Sequence, residues 1–205
     1  IHVAISSSGA RTQPPIQTLF LSIQPTGIKA DDVDQIPAVV TGFRQPHTYL
    51  LSIGIGSYRN RQLPSRQYAS LDAQMVSRYF QALGGVPASN ILLLQDGKAL
   101  RSDIDEALLD WLPPHMNKEA VVIVYFAGLA SVSATGETFL IPYDGMAATA
   151  LHAYSIKDLE TALSRLNAKQ TVFLFDGIVS QKESGNRTKT APTVLSQWNP
   201  TGSPT

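Results

Sequence analysis

No cysteine occurs in the 205 residues, which removes disulfides, thiolate metal sites and every mechanism built on a thiol nucleophile. An excess of either charge is lacking too: 16 Lys and Arg stand against 16 Asp and Glu, a formal net charge of zero. Chains that bind nucleic acid draw much of their affinity from neutralising phosphates, and this one has neither a basic excess nor a basic stripe. Nucleic acid is not an expected partner. The longest nearly apolar run, Ala120 to Ala130, falls short of the roughly 18 to 20 residues of a membrane span. The four histidines, His2, His47, His115 and His152, are scattered, and no pair is spaced to share a helical face. Neither a metal nor another cofactor is expected. The chain opens on Ile1 without an initiator Met or a basic leader, so it reads as a piece of a longer protein and names no compartment.

What the sequence does have is apolar content: 43% hydrophobic against 16% charged residues, enough to bury a core. Residues 1–25 alternate as strands do, with Ile1, Val3 and Ile5 and then Leu19, Leu21 and Ile23, and read as a hairpin or the tail of a preceding β-domain. Residues 26–47, with Asp31, Asp32, Asp34 and prolines, read as a linker. Residues 48–205 form the main domain, in which strands at 49–55, 90–94, 121–126 and 171–176 alternate with helices at 66–83, 103–112 and 156–166. Strict alternation predicts an α/β fold, a mostly parallel sheet flanked by helices on both faces.

In the first helix Tyr68, Leu71, Met75, Tyr79 and Leu83 make the apolar stripe, and Gly84, Gly85 and Pro87 stop it. Ser102 with Asp105 and Ser155 with Asp158 read as capping boxes. From Gln181 the chain turns polar, and 198–205 read as loop. The Asn186-Arg187-Thr188 sequon is too short a pattern to carry weight.

Ligands of an open parallel sheet bind beyond the carboxyl ends of its strands, which directs attention to residues 56–58, 95–97, 127–130 and 176–181. Gly54 and Gly56 begin a dinucleotide fingerprint that lacks its third glycine, and no P-loop or G-x-S-x-G elbow occurs. Tight turning of the backbone accounts for those two glycines.

The segments Val124-Tyr125-Phe126-Ala127-Gly128-Leu129-Ala130 and Phe173-Leu174-Phe175-Asp176-Gly177-Ile178-Val179-Ser180 resemble caspase-like cysteine peptidases, in the bacterial branch near metacaspases. The resemblance continues through Tyr49 to Ile55, Tyr68 to Ala73, Asp110 to Pro113 and Leu140 to Gly145, and so runs in order from Tyr49 to about Ser184. It implies a caspase-like fold, truncated on its C-terminal side. In that family a histidine base follows the third strand and a cysteine nucleophile the fourth. Here Leu129 and Ile178 stand at those positions, and neither can accept a proton or attack a carbonyl. The resemblance therefore implies a pseudopeptidase with no catalytic residue, in which Leu129, Ile178 and Val179, flanked by Gly128, Gly177 and Ser180, pack the vacated site.

Asp176 and Asp72 match the acids with which the family holds a basic side chain, and paired carboxylates can grip a guanidinium without catalysis. Two plainer readings stand beside this one: Asp72 complements the positive start of its helix, and Asp176 caps loop amides. Asp144 reads as a turn residue, since no acidic cluster surrounds it. Ser180 would need a base to act as a nucleophile, and His152 lies in a loop with no informative spacing.

Three functions remain open: a binding or scaffolding module with a protein or peptide partner, a hydrolase that uses Ser180, Asp176 or Tyr125, and a purely structural segment. The first is expected, with an open sheet edge on the truncated side as a second route to association.

Overall fold

Four strands carry the centre of the molecule, and all four run parallel, as the alternation of strand and helix patterns requires. This computed structural model describes residues 2–7, 42–146, 152–182 and 188–191. The central strands are β2 (Thr48–Gly54), β3 (Ile91–Gln95), β4 (Val121–Val132) and β7 (Gln170–Lys182). Around them lie β1 (His2–Ser7), β5 (Thr138–Leu140), β6 (Tyr154–Ser155) and β8 (Thr188–Ala191). The main path of the sheet is β1-β7-β4-β2-β3; β5 joins β4, β6 joins β5, and β8 joins β7.

The sheet is mixed, which corrects the expectation of a mostly parallel one. The pairs β1–β7, β4–β5, β5–β6 and β7–β8 are all antiparallel. At β4–β5 and β7–β8 a short return segment pairs without the helical crossover that a parallel strand needs, and β1 adds to β7 from the far end of the chain. The strand expected at the start of the chain exists as β1, and its partner is β7 of this same sheet. Its proposed hairpin mate at 19–23, most of the linker, the sequon and the C-terminal loop lie outside the described residues. Beside β7, the last central strand, β1 and β8 both pair, whereas the open edge was expected only as one on the truncated side.

Helices lie on both faces, as expected. On one, α2 (Arg101–Glu106) continues through a wider turn, closed by Leu112 N–H donating to the Ala107 carbonyl, and packs with α3 (Ile156–Ser164). Ile104, Leu108, Leu112, Leu159 and Leu163 meet Leu51, Ile53, Val122, Val124 and Phe126 there. On the other face α1 (Ala69–Ala82) covers Leu50, Ile123, Tyr125 and Ala127.

Of the apolar stripe on α1, Met75 is buried, but the face on the sheet is not the stripe as a whole. Tyr68 and Leu71 are exposed, whereas Ala69 and Ala73 face the sheet with Val76 and Phe80 beside them. The reason is close approach. A Cβ on Gly54 would strike Ala69 O and Ala73 Cβ, so helix and strand meet through their smallest residues. The Ser52 and Ser77 hydroxyls both donate to the Ala73 carbonyl at 2.9 Å, which locks that register. Gly85 then ends the helix with a φ of 67°, as its place past the stripe suggested.

One capping box is corrected. The helix α2 starts two residues before the expected 103, at Arg101, and the Asp103 carboxylate, not Asp105, accepts from a backbone N–H, that of Leu100, at 2.9 Å. Asp105 instead pairs with Arg101 at 3.1 Å. Ser155 caps α3 as expected, accepting from Lys157 N and Asp158 N, while the Asp158 carboxylate turns toward Arg101.

Candidate functional site

The carboxyl ends of β2, β3, β4 and β7 bring the searched segments together, but two of those segments are strand and not loop. In place of ends at 126 and 176, β4 and β7 run on side by side to Val132 and Lys182. Their register is unbroken: Gly128 pairs with Gly177, Leu129 with Ile178, Ala130 with Val179 and Ser131 with Ser180. The apolar residues at 129, 130, 132, 178 and 179 favour this, since they suit a pleated surface better than a loop at a watered cleft.

The glycine pair lets the two strands lie close. A Cβ on Gly177 would strike Gly128 O and the Phe175 ring, and one on Gly128 would come 3.0 Å from the Phe126 ring. The rings of Phe126 and Phe175 stack near these positions, with centroids 6.2 Å apart and planes 13° from parallel.

Leu129 is 5% exposed and Val179 1%, and Ile178 packs half-buried against the same cluster. The ladder sets Leu129 opposite Ile178 and Ala130 opposite Val179. All three meet in the larger core cluster. The Leu129 N–H donates to the buried Tyr58 hydroxyl at 2.7 Å. Burial pushes the Tyr58 phenol well above its ordinary range, with only partial relief from that N–H.

Next to this pair sits a polar group. The Tyr125 hydroxyl donates to the Asp176 carboxylate at 3.3 Å, and the Arg66 guanidinium reaches the other carboxylate oxygen at 3.8 Å. Burial first, and then the charges of Asp176 and Asp72, hold the Tyr125 phenol protonated far above its usual range. The two acids thus act on one shared tyrosine. Asp72 lies in the first turn of α1, where the positive helix end also suits it. The reading of Asp176 as a cap for loop amides gives way to contacts with Tyr125 and Arg66. Arg66 contributes one further signal: its Nε is buried without a hydrogen-bond partner among the described residues.

The glycine turn after β2 is held from within. Asp96, at a φ of 43°, accepts from Gly56 N at 2.8 Å and from Ser57 N at 3.1 Å. Its carboxylate occupies the amides that a phosphate would need, which fits the structural account of Gly54 and Gly56. The signal for this clamp was Asp96-Gly97, a turn dipeptide at the end of a strand.

Asp144 accepts from Arg101 N at 2.9 Å and lies 3.3 Å from His152 Nδ1, so it ties the turn after Pro142 to the start of α2. That agrees with its reading as a turn residue. Ser180 takes its backbone place in the ladder opposite Ser131. Among the described residues no group of three or more metal-ligating side chains forms, and no helix is long and apolar enough to cross a membrane. A shallow cleft of about 360 Å³ lies away from this site, between the carboxyl ends of α2 and α3, lined by Leu108, Pro113, Met116, Ala162 and Leu166 among others.

No protein-family profile matches the chain, and no curated protein does. Among solved structures it is similar to the crystal structure of protein GSU0716 from Geobacter sulfurreducens, a structural genomics target, at a TM-score of 0.50 and 14% identity. The similarity spans 65% of this chain and 50% of the other, so this chain corresponds to half the length of that neighbour. At this identity the likeness concerns the fold alone.

Proposed function

We propose that this chain is a catalytically inactive, caspase-like module that binds a basic segment of a protein partner. The observation that carries the reading is the ladder pair Leu129 and Ile178, apolar at the two positions that the resemblance assigns to base and nucleophile. A cysteine-free chain with those positions apolar has no route to peptide hydrolysis by a thiolate. Beside the pair, Asp176 already holds a guanidinium, that of Arg66. The chemistry of a basic-side-chain pocket is thus present in an intramolecular form.

That contact is long and partly open to water, and ion pairs of this kind contribute at most about 1 kcal/mol. An incoming arginine with bidentate geometry can displace it. The hydrolase reading gains nothing from Tyr125, whose proton is held by burial and by acids, the reverse of an activated nucleophile.

Calorimetric titration of the purified chain with Arg-containing peptides, and with the same peptides carrying Gln, tests the reading. Binding should require the guanidinium and be lost in Asp176→Asn. Equal binding of both peptides, or none, would refute it. Turnover of Arg, Lys or Asp peptide substrates that persists through purification would refute the inactive part.

A further inference from the structure

At one side of the sheet β3 pairs only with β2 among the described residues. Its sequence, Ile91-Leu92-Leu93-Leu94-Gln95, holds no charge, proline or glycine, the devices with which proteins blunt an open edge. Alternate residues of such a strand aim N–H and C=O away from the sheet. No backbone hydrogen bond to the turns or loops of the described residues takes up those of 92–95. The side chains tell the same story. Leu50, Leu51 and Ile53 of the neighbouring β2 are 2% exposed or less, whereas Ile91, Leu92 and Leu93 are only half-buried. Leu92 borders the larger core cluster, and Ile91 and Leu93 the smaller. Apolar surface is therefore left on both faces of one main-chain edge, and the group that completes such an edge is another strand.

We propose that this strand is the β3 of a second copy of the chain, added antiparallel across a two-fold axis at Leu93. The axis stands perpendicular to the sheet, so like faces meet and each core cluster continues into its mate. Leu93 then faces Leu93 of the second copy, Leu92 faces Leu94, Ile91 faces Gln95, and Asn90 faces Asp96. No like charges oppose each other, which is the condition for self-pairing of cross-strand neighbours. A peptide of defined charge finds nothing on this edge to select it, whereas an identical uncharged strand is complementary to it at every position. The inference is independent of the basic-segment reading, because the acids Asp72 and Asp176 lie on α1 and β7.

Absence of native cysteine makes the test clean. In the full chain, Leu93→Cys places two thiols at the axis, and mild oxidation or a short bis-maleimide should convert most of it to covalent dimer. Phe43→Cys, an exposed control outside β3, should stay monomeric under the same treatment. Ile91→Cys and Gln95→Cys should each cross-link poorly alone and well when mixed, since the register places 91 opposite 95. Sedimentation velocity on the unmodified chain should show a concentration-dependent dimer, and exchange of the 91–95 amides should slow as dimer forms. A monomer at every concentration, a dimer whose Leu93→Cys form does not cross-link, or equal cross-linking through Phe43→Cys would each overturn the proposal.

Discussion

Putting the two residues of the resembled family back, Leu129→His with Ile178→Cys, asks whether those positions are packing or an open cleft. Leu129 is 5% exposed on a strand whose neighbours are all buried. Loss of its burial costs about 1.5–3 kcal/mol. An imidazole nitrogen left unpaired there adds about 1–3 kcal/mol. Ile178 is half-buried, so its shortening to Cys adds about 1 kcal/mol or less. The sum, about 2.5–7 kcal/mol, corresponds to a fall in Tm of roughly 5–28 °C for a chain of this size.

The pH dependence has a sign. Burial favours the neutral imidazole, so its folded pKa lies below the unfolded value of about 6.5. The unfolded state then binds more protons, and the variant should lose further stability as pH falls through that value while the parent does not. Thermal melts by circular dichroism at pH 8 and pH 5, with a fluorogenic Arg-peptide assay on the same samples, read both halves. An unchanged Tm would mean that the ladder end is loose and watered, and measurable hydrolysis would mean that a working cleft survives around it.

Removal of the internal guanidinium by Arg66→Gln should tighten binding of an Arg peptide several-fold, read by titration calorimetry, because Asp176 then has no resident cation and keeps only the Tyr125 hydroxyl; weaker binding would show that Arg66 helps to build the site. In Gly177→Ala the new methyl meets the Gly128 carbonyl, which is backbone and cannot swing aside, so the loss in a urea melt should reach or exceed the roughly 1–3 kcal/mol of ordinary overpacking. A neutral result there would contradict the close pairing of β4 and β7. Tyr58, Tyr125 and Tyr154 have phenols raised first of all by burial, so spectroscopic titration should show three phenols that ionise above the ordinary range. Since their folded pKa values exceed the ordinary value of about 10, their contribution is intact below pH 10 and is lost as pH rises beyond it, with ionisation arriving together with unfolding. Ionisation of these three near pH 10 in folded protein would refute their burial.

Much of the architecture followed from local pattern. Apolar runs such as Tyr49 to Ile55 and Val121 to Phe126 are read as buried parallel strands because burial on both faces leaves them no polar alternation. Gly85 and Ser155 act where their chemistry placed them, as helix stop and helix cap. Composition alone settled that no thiol is present, and the apolar nature of residues 129 and 178 is a fact of sequence.

Other features depended on partners distant in the chain, and no local rule supplies those. The stripe that starts at Tyr68 and Leu71 looks like a core face by spacing, yet those two are exposed and α1 presents Ala69 and Ala73 to the sheet because Gly54, a residue of another element, lets the backbones meet. Residues 127–130 and 176–181 were expected beyond the strand ends. They are strand because each supplies the other with a ladder, a term that neither segment reveals alone. The covering of the β7 edge by residues 2–7 and the meeting of Arg66 with Asp176 are of the same kind, contacts across more than a hundred residues of chain. Sequence determined which groups can be buried, turn a helix or carry charge; the tertiary fold decided which of them meet, because close approach and strand pairing are properties of two segments at once.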